Sequence, residues 1–318
     1  MNLAFKFLHF LGAHSTRILA VGIFLGLAWP QLARWAAPLL VPSVVVLMIT
    51  AMVRQDVEAV VLHIKRPGRV ALALLWTMGL APIAMAVLVG LFRLPADLAT
   101  VLVLAAAGPS VTSSITFALI FRLDAAIAVI LMTLGMILAP LTLPPMALAL
   151  LCLELQIDLL EFMLRLGLLI GGAVAAAIVV RRLVPRDALE RNGKLIDGVA
   201  VLVLMIFAVG IMAGVQATLI ERPGFVALTT LVAFLANIGL QALGAAAFWW
   251  MGARAALAIG LVSGNRNLGV LMAALGAAAS PDMVLFFALG QLPIYMLPWL
   301  LRPLYQRLRE DSPVARPD

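Results

Sequence analysis

Apolar stretches long enough to cross a hydrocarbon core of ~30 Å recur along this chain from near Thr16 to near Leu304. Lipid offers no partner to backbone N–H and C=O groups, so each stretch must bond its own backbone as a helix. With 64% hydrophobic and 12% charged residues among 318, little sequence remains for a soluble domain. The expected fold class is an all-α membrane protein. Ten spans fit, at roughly 17–34, 38–53, 69–92, 97–121, 124–153, 159–181, 195–219, 224–250, 254–278 and 281–303. Pro140, Pro144 and Pro145 are expected to bend the fifth.

The charges orient these spans. Arg34, Arg93, Arg165 and Arg222 fall in loops on one side; every other Lys and Arg except Arg266 falls on the opposite side. That bias puts both termini in the cytoplasm, which an even number of spans allows. The net charge of +7 is thus a membrane-orientation signal rather than a nucleic-acid one. The start, MNLAFKFLHFLGAHSTR, lacks a small-residue cleavage site, so no signal peptide is expected. The single cysteine, Cys152, excludes an intramolecular disulfide and a cysteine-based metal site. His9, His14, His63 and all 15 acidic residues fall in loops or near span ends. The midplane therefore has no Asp, Glu or His to carry a proton, ligate a metal or activate a hydroxyl, and no enzyme is expected.

"RPGRVAL" at Arg66–Leu72 recurs as "RPGFVAL" at Arg222–Leu228, 156 residues later. Asp124 and Asp282 each open a following span, and Pro140 and Pro298 share their spacing of 158. The chain divides into residues 1–155 and 156–318, each a five-helix repeat. Five is odd, so the halves have opposite orientations, an inverted-repeat architecture found in many secondary transporters.

Each half carries one polar interruption about 40 residues after its heptapeptide: "AGPSVTSSIT" from Ala107 and "SGNRNLGV" from Ser263. Pro109 lacks an N–H and disfavours helix at Gly108, and Ser110, Thr112, Ser113, Ser114 and Thr116 follow with hydroxyls. In the second half Gly264 and Gly269 bracket Asn265, Arg266 and Asn267. Irregular backbone at membrane depth must face protein or water, and paired interrupted spans at matching positions point to a transport site. Half-helix N-termini there would present N–H groups and positive dipole ends to an anion. Small hydroxyl residues also serve ordinary helix packing, so the serine cluster alone would not make a site.

These segments, in this order and spacing, resemble the bile acid:sodium symporter family, and the resemblance covers most of the chain. "MITAMVRQDVEAVVLHIKRPGRV" (Met48–Val70) is similar to the family's second-span end and basic loop. "GPSVTSSIT", "LDAAIAV" (Leu123–Val129) and "LAP" (Leu138–Pro140) resemble its fourth and fifth spans, and "GNRNLGV" (Gly264–Val270) its ninth-span break. The resemblance implies discontinuous spans 4 and 9 that cross near the midplane. It also implies a panel domain of spans 1, 2, 6 and 7 and a core domain of spans 3–5 and 8–10. It further implies transport of organic anions, usually with sodium. The family's sodium-binding positions fall on Thr112, Ser113, Val262 and Arg266, and near Thr77, Ala128 and Met132, with Thr133 adjacent. Several lack a ligating side chain: Val262 stands where the family has an acid, and Arg266 where it has a glutamine. The resemblance therefore implies a bacterial member with degenerate sodium sites.

A guanidinium near the bilayer centre costs at least ~2.5–3.5 kcal/mol and must face the interior. Three roles are open to Arg266: a fixed cation in a vacated sodium site, held by carbonyls; a partner for a substrate carboxylate, which its planar donors suit; or a structural pin on broken-helix carbonyls.

The expected function is alternating-access transport of small organic anions with weak or no sodium coupling. Sodium-coupled symport is the alternative within the same class, and a passive channel the alternative outside it. Expected substrate contacts are Ser110, Thr112, Ser113, Ser114, Asn265, Arg266, Asn267 and Gln291, with Tyr295 near Gln291. Asn237 and Gln241 share one face of span 8, where they either touch substrate or tie spans together. No cofactor is expected, and sodium only if the degenerate positions still bind it. The partners are a small organic anion and the lipid bilayer of a bacterial inner membrane, without nucleic acid. The sequence sets no oligomeric state.

Overall fold

The computed structural model describes residues 15–54, 66–151 and 158–310. The division at 155, Cys152, His9, His14, His63, Lys6, Lys65 and Arg316 lie outside them. Among the described residues every regular element is helical. Seven of the helices in the described residues are long and apolar enough to cross a membrane.

The chain starts with α1 (Ser15–Ala28) and α2 (Pro30–Ala36), then α3 (Leu40–Arg54) after a 3₁₀ turn at Ala37–Leu39. The single helix expected over 17–34 is not what forms. Pro30 disfavours helix at Trp29, which leaves the helical region at φ −128° and ψ 83°. The chain restarts at Pro30 and runs on to Arg54 as one candidate span.

Next come α4 (Pro67–Leu75), a π-helical turn at Trp76–Leu80 and α5 (Ala81–Phe92). Pro82 has no N–H for the carbonyl one turn earlier, and the helix widens just before it. The first interrupted segment is α6 (Ala96–Ala107) and α7 (Ser113–Ile120). It is followed by α8 (Ala125–Leu151), which stays helical through its three prolines. The rest is α9 (Leu159–Leu183), α10 (Arg186–Arg191), α11 (Gly193–Gly210), α12 (Val215–Glu221) and α13 (Pro223–Ala247). The second interrupted segment is α14 (Ala253–Gly264) and α15 (Leu268–Leu275), and α16 (Pro281–Leu289), α17 (Gln291–Leu300) and α18 (Arg302–Glu310) complete the described chain. The helix expected over 195–219 breaks after Gly210 and resumes at Val215. Gly214, at φ 85°, makes the turn that an L side chain would resist.

The α6 and α14 helices have 12 residues each, about 18 Å at 1.5 Å per residue, so neither crosses a bilayer alone. Long apolar side chains such as Leu168, Leu183 and Trp299 stand about three-quarters exposed on the outer faces. A solvent of lipid favours that surface, which water would penalise.

Hydrophobic attraction does not drive helix pairing in lipid, so close backbone approach matters more. On α14, Ala256, Gly260 and Gly264 recur every four residues and line one face. That face meets α13 closely: a Cβ at Gly260 would lie 2.5 Å from the Gln241 carbonyl, and one at Gly264 2.5 Å from the Asn237 carbonyl. A side chain at either position must push the helices apart. Gly260→Val should therefore destabilise the purified protein by about 1–3 kcal/mol, the usual cost of overpacking. Thermal unfolding in detergent measures it, with Gly171→Ala as the control. A Cβ at Gly171 meets nothing within 4 Å, so that variant should unfold no earlier than the parent.

Candidate functional site

The two interruptions meet. Val111 N–H donates to the Asn265 carbonyl at 3.0 Å, and Asn267 N–H donates to the Pro109 carbonyl at 2.7 Å. Together they form an isolated antiparallel bridge between Ser110 and Arg266. Any antiparallel bridge is locally two-fold, so the informative feature is its register. Pro109 and Asn265, Ser110 and Arg266, and Val111 and Asn267 are each 156 residues apart, the offset of the repeated heptapeptide. A similar exchange occurs at the helix starts: Ser280 Oγ donates to Asp97 Oδ2 at 2.7 Å, and Asp124 N–H to the Arg254 carbonyl at 3.1 Å.

Broken helices leave carbonyls without intrahelical donors. Arg266, only 3% exposed, supplies several. Its Nε donates to the Ser263 carbonyl at 2.7 Å, Nη1 to Gly108 at 2.9 Å and Nη2 to Thr77 at 3.0 Å. One planar group thus joins the end of α14, the first interruption and the π-helical turn. All three bonds end on main-chain oxygens, and none on a carboxylate.

Neighbouring side chains fix this arrangement. Ser110 Oγ donates to the Asn265 carbonyl at 2.8 Å and lies 3.2 Å from Ser114 Oγ. Asn237 Nδ2 donates to the Gly264 carbonyl at 3.0 Å and to Asn265 Oδ1 at 3.1 Å. Trp76 Nε1 donates to Ser263 Oγ at 2.9 Å, and that hydroxyl donates to the Ile259 carbonyl at 2.7 Å. Asn267 Oδ1 accepts from Val270 N–H at 3.2 Å and caps α15.

A cavity of about 970 Å³ runs from this crossing toward the half-exposed pair of Arg54 and Asp197, 3.1 Å apart. Its walls are α3 and α11 on one side and α7, α8, α15 and α17 on the other. Thr112, Ser113, Arg266, Asn267, Gln291 and Tyr295 give it a polar end; Met48, Leu204 and Phe207 are among its apolar walls. The Ser113 hydroxyl there is buried without a hydrogen-bond partner.

Of the expected substrate contacts, Thr112, Ser113, Arg266, Asn267 and Gln291 border the cavity. Ser110, Ser114 and Asn265 are buried in the crossing behind it. Asn237 and Gln241 do not line the large cavity and bond to each other beside the crossing. Among the expected ion positions, Thr77 turns its carbonyl toward Arg266, while its hydroxyl donates to the Leu74 carbonyl at 3.2 Å. Val262 and Ala128 pack in one apolar cluster, and Met132 and Thr133 are fully buried. The Gly108 carbonyl and Trp76 were not foreseen. Carbonyls carry no side-chain signature, and the π-helical turn that aims Thr77 shows in the sequence only as Pro82 six residues after Trp76.

Compared with known proteins, residues 41–222 match the family model described as the Sodium Bile acid symporter family, more than half of the 318 residues. The matched stretch contains the first interruption and ends before the second. No curated protein matches the chain.

Arg266→Met keeps the stem and removes the donors. It should leave the carbonyls of Ser263, Gly108 and Thr77 unpaired, at about 1–3 kcal/mol for each buried group. Thermal unfolding should show a larger loss for this variant than for Arg266→Lys, whose ammonium can serve some of the same oxygens.

Proposed function

We propose, from the premise that the chain belongs to the sodium bile acid symporter family and is a membrane transporter, that it carries small organic anions by alternating access with weak or no sodium coupling. One observation carries this reading. The Arg266 guanidinium lies on three carbonyl oxygens at the crossing, and among the described residues no carboxylate bonds to it. Main-chain carbonyls are what a hard cation would use, and here a tethered cation already uses them. A coupling ion must arrive, favour one state and leave; a side chain cannot leave. The apolar packing around Val262, where the family has its acid, supports the same conclusion.

The proposed architecture is ten spans in two inverted five-span repeats. The hydrogen-bond register between the interruptions supports it, because that register reproduces the offset of the sequence repeat. The panel is formed by α1–α3, α9 and α11, and the core by α4–α8 and α13–α17. The cavity between α3 and α11 on one side and the interrupted segments on the other is then the transport site.

The anionic group of the substrate lies at the polar end, near Thr112, Ser113, Asn267 and Gln291. There the first turns of α7 and α15 add positive dipole ends. Arg266 acts on it as a fixed positive charge behind this surface, and the apolar body lies along Met48, Leu204 and Phe207. The Lys and Arg bias of the loops supports a cytoplasmic Arg54 end in a proposed bacterial inner membrane, and the cavity then faces inward.

Two measurements test this. Uptake of labelled bile salts and small carboxylates into proteoliposomes should keep the same initial rate when choline replaces sodium, and it should saturate. Strict sodium dependence would overturn the coupling claim, and single-channel currents would make the protein a pore. The purified protein should also unfold at the same temperature in sodium chloride and choline chloride, because only an ion that binds the folded state raises apparent stability.

A further inference from the structure

The α18 helix lies beyond the last candidate span, at Arg302–Glu310, and carries Arg302, Arg307 and Arg309. Such a segment would ordinarily be a solvated tail. Its Tyr305 is instead only 5% exposed. The ring stacks on Phe121 at the end of α7, with centroids 5.0 Å apart and planes 21° from parallel. Arg309 Nη1 donates to the Phe121 carbonyl at 3.2 Å.

The phenol begins a series of hydrogen bonds with a single polarity. Tyr305 Oη donates to Gln241 Oε1, and Gln241 Nε2 donates to Asn237 Oδ1. Asn237 Nδ2 then donates to the Gly264 carbonyl and to Asn265 Oδ1. Gln241 and Asn237 are four residues apart on one face of α13, so the series climbs one helical turn, about 6 Å, toward the crossing. Burial pushes the Tyr305 phenol above its usual range, which keeps it protonated and able to donate.

We infer that Tyr305 is a positioning residue for the crossing, acting through Gln241 and Asn237. This role follows from amide orientation. An amide side chain has an oxygen that accepts and a nitrogen that donates, and each must face its complement. With the phenolic hydroxyl in place, Gln241 keeps Oε1 toward Tyr305 and Nε2 toward Asn237. Without it, Gln241 Oε1 is a buried acceptor with no donor and gains by rotating away. Rotation turns its oxygen toward Asn237 Oδ1, and two acceptors repel. Asn237 must then turn as well, which withdraws Nδ2 from Gly264 and Asn265. Those two residues adjoin Ser263 and Arg266, and the Asn265 carbonyl is the acceptor for Val111 and Ser110. One hydroxyl on a helix outside the spans thus sets the donors that hold the second interruption.

Tyr305→Phe tests this because it keeps the ring and its stacking on Phe121. The probe is hydrogen–deuterium exchange of the full chain in lipid nanodiscs, which needs neither a substrate nor sodium. The result therefore stands apart from the coupling proposed above. Exchange should rise about fivefold in peptides covering 108–116 and 263–271, the loss of roughly one net hydrogen bond. Peptides of α9 and α11 should not change. Gln241→Met cuts the series in its middle and leaves α18 in place, and it should give the same rise in the same peptides. Faster exchange confined to α18, or a rise with Gln241→Met but none with Tyr305→Phe, would overturn the role of Tyr305.

Discussion

Three carbonyl oxygens from separate segments converge on one guanidinium, and the middle of the molecule depends on that meeting. A helix broken inside a bilayer exposes main-chain acceptors that lipid cannot satisfy. Two such breaks at one depth double the problem. Arg266 meets much of it: its rigid fork reaches Ser263 in its own segment, Gly108 in the other interruption and Thr77 in the widened turn of a third helix. A lysine has three donors on one atom and could not span the same separation. An acid would add its own need for donors. Of the available side chains, arginine matches both the number and the spread of these acceptors.

The frame around this bond set is two-fold, but its contents are not. Gly108 and Gly264 are counterparts at an offset of 156, and the carbonyl of each needs a donor. Gly108 receives Arg266, whereas Gly264 receives Asn237. Ser110 and Arg266 are themselves counterparts and face each other across the bridge. The serine reaches one carbonyl and the arginine three. A π-helical turn separates α4 from α5, whereas α13 runs as an unbroken α-helix. A locally two-fold bridge thus supports a single charge, and that asymmetry allows one cation to serve both interruptions.

Much of this was open to reading from residues alone, for identifiable reasons. Span positions follow from apolar run length, which lipid enforces, and both interruptions announce themselves through Pro109, Gly264 and clustered polar side chains. The misplacements occur where backbone geometry decides. Trp29 breaks a helix that hydropathy would continue, and Gly214 turns one that hydropathy would extend. The site divides in the same way. The residue types at the crossing are visible, but the acceptors of Arg266 are carbonyls, which every residue carries. The i, i+4 spacing pairs Asn237 with Gln241, but Tyr305 lies 64 positions from Gln241, and no local pattern links it to them. Apart from Thr50, Arg54 and Asp197, the cavity walls on α3 and α11 are ordinary apolar side chains, indistinguishable in sequence from those that face lipid.

The fixed charge also bears on energy. A dissociable ion contributes to uptake because it is bound on one side and released on the other, so its gradient enters the free energy of the cycle. A tethered guanidinium is present in every state and contributes nothing to that difference, however strongly it attracts an anion. It can still lower the cost of placing a negative group at membrane depth, because its field acts through a medium of low dielectric. Under the proposed function, affinity and driving force therefore come apart. The crossing supplies the positive potential that makes an anion welcome, and only the substrate's own gradient and the membrane potential set the direction of net flow. Binding strength at such a site says nothing about accumulation, whereas in a sodium-coupled carrier the ion that strengthens binding also drives it.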